Sequence, residues 1–337
     1  MRTQDLSALF TSPDYYPLEM DFARGVLRFV PMSPDTYRES VFLDKRTRFL
    51  GDRVYLSRLD DVLFAASTQP PSIRPIHYIL HTTFCCSTLL ARYFELLDFC
   101  FVLKEPLLLT QLALTPPQSV SHWSSAFDVG VKLLTRTYAQ NQMVVIKPHE
   151  PCNALAQKLL EHDQHSTITF LITPLSEFLV AILKSKERRA WVRSRLPAAS
   201  QTVPGCKLAN VRLDDLSDPE AAAFLWLVNR FICGQLSSGV YSSRVLVING
   251  NRVADSPEKV LPAIADMCEI TLQKQEITRL LEHPAVAKYS KDLSKAYTVD
   301  SRRQEIAELE ERFAPERDSG MAWAKSQGIP LELPQGL

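Results

Sequence analysis

Glycine is scarce in this chain: 10 of 337 residues, about 3%, where globular proteins average about 7%. None falls in the 78 positions between Gly51 and Gly130, so every tight turn in that stretch must be made by residues that carry a Cβ. Net charge is also missing. The 38 basic and 38 acidic side chains cancel, which argues against a protein held on nucleic acid or on a membrane surface by bulk electrostatics and makes any basic site local. There is no CxxC, and the seven cysteines are scattered through mostly apolar runs. The histidines pair at i, i+3 only as His162 and His165, with no third histidine or cysteine beside them, so no metal site is expected. The greasiest stretch, 93–114, is interrupted by Glu95, Asp98, Lys104, Glu105 and Gln111, too polar to span a bilayer. The opening MRTQDLSALFTSPDYY has no apolar block of the secretory kind. With an odd number of thiols, these features lead to the expectation of a soluble, cytoplasmic protein with reduced cysteines.

What the chain does have is a hydrophobic fraction of 46% and a charged fraction of 23%, enough to build one large α/β core or two smaller ones. Short aliphatic or β-branched runs alternate with stretches of helical period. Strands are expected at 77–81, 100–103, 143–146, 167–172 and 244–248. Helices are expected at 88–99, 121–141, 153–162, 176–195 (one long helix), 219–236 and 257–268, the last started by Ser256 and Pro257. Continuous apolar strands separated by helices imply a mostly parallel sheet covered on both faces. Ligands of such sheets lie outside the carboxyl ends of the strands, which singles out 81–88, 104–106, 147–153, 173–176 and 249–252. Residues 1–65 read as a small β-rich accessory region with three short strands in a meander, 66–300 as the α/β core, and 301–337 as a charged helix and tail.

The strongest local feature is I79-L-H-T-T-F-C-C-S-T-L-L-A-R92, a buried strand running through a short polar loop into an amphipathic helix. A helix N-terminus presents unpaired N–H groups and the positive end of a dipole, which suits a phosphate or sulfate group. The glycines and lysine of a Walker A loop are absent. Simple helix capping by Ser87 and Thr88 explains the segment about equally well.

The loop T82-T-F-C-C-S-T-L-L, the post-strand L103-K-E-P106, the segment F170-L-I-T-P-L-S-E-F-L-V-A-I-L-K184 and the late V245-L-V-I-N-G-N-R-V-A-D-S-P-E-K together resemble the P-loop-related sulfotransferases, over roughly residues 74–300. The resemblance implies a three-layer P-loop-like α/β fold. It also implies transfer of a sulfuryl group from 3′-phosphoadenosine 5′-phosphosulfate to a hydroxyl or amine of a small-molecule or carbohydrate acceptor, without a metal. Carried over by position, Thr83, Cys86, Ser87 and Thr88, with the intervening Phe84 and Cys85, fall on the donor loop, and Glu105 is the general-base candidate. Lys147 and Arg92 are placed to meet an anion. Where many relatives carry a basic residue the loop has Phe84, and at the glycine position it has Cys86. The positions expected to hold the nucleotide 3′-phosphate fall near the apolar Ile172 and Val180. Substitutes are Ser176 and the cluster Lys184, Lys186, Arg188, Arg189, Arg193 and Arg195, with a second cluster of Lys288, Lys291, Lys295, Arg302 and Arg303.

Each of these has a plainer alternative. Glu105 is as well explained as the partner of Lys104, Lys147 or Arg92 in a structural ion pair, and the basic clusters as solvated helix faces. Cys86 and Arg92 also have the C-x5-R spacing of a cysteine phosphatase, whose thiolate would be favoured at a helix N-terminus. A P-loop fold kept for binding or regulation, without catalysis, is the non-enzymatic alternative.

Overall fold

Continuous runs of aliphatic and β-branched residues fit a strand buried on both faces, and five such runs form one sheet. The computed structural model describes residues 6–47, 49, 53–69, 75–203, 206–286 and 298–333. Its strands are β1 (Tyr15–Asp21), β2 (Val26–Pro31), β3 (Tyr55–Arg58), β4 (Ile76–His81), β5 (Cys100–Lys104), β6 (Met143–Lys147), β7 (Thr167–Ile172) and β8 (Val245–Asn249). The large sheet has the order β5-β6-β4-β7-β8, with β4 beside β6, β5 beside β6 and β7 beside β8 all parallel. Every residue of β4 to β7 is buried, while β8 at the edge is partly open. The expected accessory strands form a separate antiparallel sheet, β1-β2-β3, with a register shift between Pro17 and Glu19.

The chain divides into two compact units, 1–79 with 91–167 and 80–90 with 168–337. In the first, the accessory strands are held by backbone carbonyls converging on one buried cation. The Arg136 guanidinium donates to the carbonyls of Leu133 (2.5 Å), Leu9, Ser12 (2.7 Å) and Tyr15 (2.7 Å), satisfying a charge whose burial would otherwise be costly. The Gln111 side chain accepts from the amide of Met20 at 3.0 Å. Beyond β2, Leu43 bridges the end of β5: its amide donates to Lys104 O (2.7 Å) and its carbonyl accepts from Leu107 N (3.1 Å) and from the Tyr16 hydroxyl (2.9 Å).

In the second unit, the long helix Asp218–Ser238 packs against helices Leu175–Leu183, Lys186–Ser200 and Ala314–Ser326. The single helix expected over 176–195 is two. The first ends at Leu183, and Ser185 caps the second through its side chain, which accepts from Arg188 N. Gly250, just after β8, donates its amide to Ile172 O at 3.0 Å and lies against Cys85. A methyl at Gly250 would sit 2.5 Å from the Cys85 carbonyl oxygen and 2.6 Å from its Cβ.

Two consequences are measurable. Gly250→Ala is expected to destabilise the fold by about 2 kcal/mol or more, read in denaturant unfolding, because backbone atoms must move to admit the methyl. In β4, His77 is fully buried, its Nδ1 2.9 Å from the Thr167 hydroxyl, and burial pulls its pKa down from 6.5 to about 3. Between those values the unfolded chain binds the proton and the folded chain does not, so stability rises with pH and is lost as pH falls from about 6.5 toward 3. Thermal unfolding from pH 7 to 4 should show this loss, and His77→Gln should show a shallower one.

Candidate functional site

In the second unit, β4 leads through residues 82–86 into the helix Ser87–Glu95. Three residues of this glycine-free loop are left-handed: Thr83 (φ 69°), Phe84 (φ 52°) and Cys86 (φ 60°). A Cβ makes that conformation cost about 1–2 kcal/mol per residue, so the surroundings must fix it. Thr82 does so from below. Its amide donates to Leu171 O and its hydroxyl accepts from Thr173 N, both at 3.1 Å, while Thr173 O accepts from the Trp226 indole at 2.7 Å. The Thr83 amide donates to His81 Nδ1 at 3.1 Å, and Cys85 is pinned by Gly250. The first helical bond runs from Leu90 N to Cys86 O at 3.0 Å, so the amides of Ser87, Thr88 and Leu89 precede it at the positive end of the helix. The Thr83 Oγ1 and Thr173 Oγ1 atoms are buried without a hydrogen-bond partner among the described residues, and Ser87 and Thr88 are buried. Unpaired buried hydroxyls beside a helix N-terminus suit an anion that supplies acceptor oxygens.

The basic cluster 184–195 divides sharply by partner. Lys184 pairs with Glu305 at 2.6 Å, and Arg189 and Arg193 pair with Asp218 at 3.5 and 3.0 Å. Arg195 is buried. Arg188 alone of the six has a described contact with the loop: its guanidinium carbon lies 4.1 Å over the centre of the Phe84 ring, and its Nη1 donates to Ala181 O at 2.6 Å. Ser176 stands in the first turn of the helix after β7. Next to it the sequence reading missed a polar group: Asn251 donates to Glu177 Oε1 at 2.6 Å and accepts from Arg302 at 2.7 Å, with Arg302 3.9 Å from Glu177 Oε2. Burial raises the Glu177 pKa, against the Asn251 hydrogen bond and the Arg302 charge. Its only signal was position, just beyond β7 and β8. Arg303 pairs with Asp255 at 3.0 Å; Lys288, Lys291 and Lys295 of the second cluster lie outside the described residues.

In the first unit, Glu105 follows β5 in a left-handed turn (φ 52°) and its amide donates to Lys147 O at 2.6 Å. The Lys147 ammonium, 1% exposed, forms an ion pair with Glu105 Oε1. Arg46 reaches Glu105 Oε2 at 3.7 Å, lies 4.1 Å over Phe42 and is held by Asp44. Burial alone would raise the Asp44 pKa, but the hydrogen bonds from Arg46 outweigh it and hold Asp44 below the usual range. Arg92 lies along the helix Ser87–Glu95, buried, its pKa lowered by burial. The residues between Cys86 and Arg92 are helical, which removes the open cradle that phosphatase chemistry needs. A cavity of about 620 Å³ elsewhere in this unit, lined by Lys132, His122, His162 and Asp128 among others, contains none of the expected site residues. Among the described residues there is no group of three or more His, Cys, Asp or Glu able to hold a metal, and no helix long and apolar enough to cross a membrane.

No family model matches the chain, and no curated protein is similar to it in sequence. Solved structures similar to it include a sulfotransferase domain from the curacin biosynthetic pathway, at 14% identity and a TM-score of 0.42 over 63% of this chain and 80% of that one. A sulfotransferase from Mycobacterium tuberculosis H37Rv is similar at 12% identity and a TM-score of 0.42, over 76% and 82%. Mouse sulfotransferase SULT7A1, complexed with PAP, is similar at 12% identity and a TM-score of 0.32, over 65% and 67%. The likenesses are distant, and what this chain does is carried by its own residues.

Proposed function

We propose that the chain is a sulfotransferase that takes a sulfuryl group from 3′-phosphoadenosine 5′-phosphosulfate and passes it to a hydroxyl or amine of a small-molecule or carbohydrate acceptor. The observation that carries this reading is the strained loop 82–86, with its buried unpaired Thr83 hydroxyl, opening onto a helix N-terminus. A polar loop that costs several kcal/mol to shape, and leaves a donor unused, is the kind of strain that persists at binding sites. Thr83 and the amides of Ser87 and Thr88 would hold the phosphosulfate oxygens, whose negative charge grows as the sulfur–oxygen bond to phosphate breaks. The acceptor oxygen or nitrogen forms the new bond to sulfur, 3′-phosphoadenosine 5′-phosphate leaves, and the acceptor proton passes to the Glu105 carboxylate. Lys147, buried against Glu105, orients that carboxylate.

The first test is thermal unfolding with 3′-phosphoadenosine 5′-phosphate. At 100 times its dissociation constant a ligand stabilises by about 2.7 kcal/mol, a rise of about 4 °C for a chain of this size; no rise at millimolar ligand would sink the donor site. Glu105→Gln should lower transfer activity about 100-fold or more while keeping the thermal shift. Cys86→Ser should retain activity, and a phosphatase activity abolished by Cys86→Ser would instead select the thiol mechanism.

A further inference from the structure

The residues proposed above for donor binding and catalysis follow the carboxyl ends of strands. A cavity in the first unit lies instead at the amino end of β4, where Ile76 forms part of its wall. Its volume, about 620 Å³, falls within the range of about 300–1,000 Å³ usual for small-molecule sites. We propose that this cavity binds a small primary amine with an apolar body, the ammonium held by Asp163. The site is separate from the sulfotransferase reading and does not depend on it.

Two helices build most of the wall. In Trp123–Leu134, Phe127, Val131 and Leu134 are buried in the core. Ser125, Asp128, Val129 and Lys132, spaced i, i+3, i+4 and i+7, share the face that lines the cavity. In Leu59–Ser67 the lining residues include Asp60, Leu63 and Ser67, again three and four apart. The Lys132 ammonium joins the two helices, donating to the carbonyls of Ala66 (3.3 Å) and Gln69 (2.9 Å) at the carboxyl end of Leu59–Ser67, where a cation is favoured. Of the Asp, Glu, Lys and Arg side chains described in the lining, three are carboxylates, Asp60, Asp128 and Asp163, against the one ammonium. That excess of negative charge opposes an anionic ligand and complements a cationic one.

The three carboxylates differ in their surroundings. Asp60 is exposed, 3.9 Å from Arg58, and Asp128 Oδ1 lies 3.0 Å from His162 Nδ1. Asp163 is half-buried, its Oδ1 accepting from the His165 amide at 2.9 Å. Tyr78, two residues beyond Ile76 and so on the same face of β4, is fully buried, and its hydroxyl has no hydrogen-bond partner among the described residues. Burial first, then the Asp163 charge, raises the Tyr78 pKa. A carboxylate and a phenol oxygen are both acceptors toward an ammonium, which selects Asp163 as the anchor. Leu63, Ile76 and Val129 leave apolar wall for the body of the ligand.

The test is calorimetric titration of the full-length chain, at one pH and ionic strength, with hexylamine, hexan-1-ol and hexanoate, which share a chain length and differ in the charge of the head group. Hexylamine should bind about 10-fold or more tightly than either of the others, the difference that one charge-assisted contact supplies. Asp163→Asn keeps an acceptor for the His165 amide and should bring hexylamine down to the affinity of hexan-1-ol. Leu63→Trp, which fills the cavity from a half-buried position, should abolish binding of hexylamine. A ranking led by hexanoate or hexan-1-ol, equal affinity for all three probes, or no binding at millimolar concentration overturns the proposal. Hexylamine binding that neither variant changes overturns it too, since the amine then sits elsewhere. Should Asp163→Asn unfold, the ranking of the three probes in the wild type and in Leu63→Trp decides the matter.

Discussion

The turn from β4 into its helix must be left-handed at Thr83, Phe84 and Cys86 without a single glycine, and the site depends on how that constraint is met. At about 1–2 kcal/mol for each residue, the loop carries a cost of several kcal/mol against a net domain stability of about 5–15. Thr82, bonded to both Leu171 and Thr173, and Gly250, in contact with Cys85, hold it in place. The glycine that such a turn usually contains is thus found across from it. Small size is needed where two backbones meet, and the loop itself is left with side chains that carry hydroxyl, thiol and ring.

The same device recurs at the end of β5. Among the described residues five non-glycine positions have positive φ, and four of them are Thr83, Phe84, Cys86 and Glu105. Strain of this kind is retained where the surroundings over-determine it and where function gains from it. For Glu105 the surroundings are the buried Lys147, the Lys147 carbonyl and Arg46. The ion pair expected as the plain alternative, between Glu105 and Lys147, is present.

The sheet was legible because its signal is long-range apolar patterning. The strand expected at 167–172 matches β7 residue for residue, those at 77–81, 100–103 and 143–146 fall one residue short at one end, and the one at 244–248 is shifted by one residue from β8. Helical patterning alone predicts one helix over 176–195; the break follows from Ser185, whose side chain caps the next helix. Backbone handedness in the loop was illegible, since the usual marker of positive φ is glycine, and the packing of Gly250 on Cys85 joins residues 165 positions apart. Charge was legible as a cluster but not in its assignment. That Lys184 pairs with Glu305, and Arg189 and Arg193 with Asp218, is decided only by three-dimensional packing.

The most direct measurement of the central claim, that this strained loop binds the phosphosulfate end of the nucleotide, is amide hydrogen exchange with and without 3′-phosphoadenosine 5′-phosphate. Bound oxygens accept from the amides at the loop and helix start, so exchange across residues 83–89 should slow on adding the nucleotide. Protection confined to other segments, with 83–89 exchanging at the same rate in the bound protein, would contradict the account.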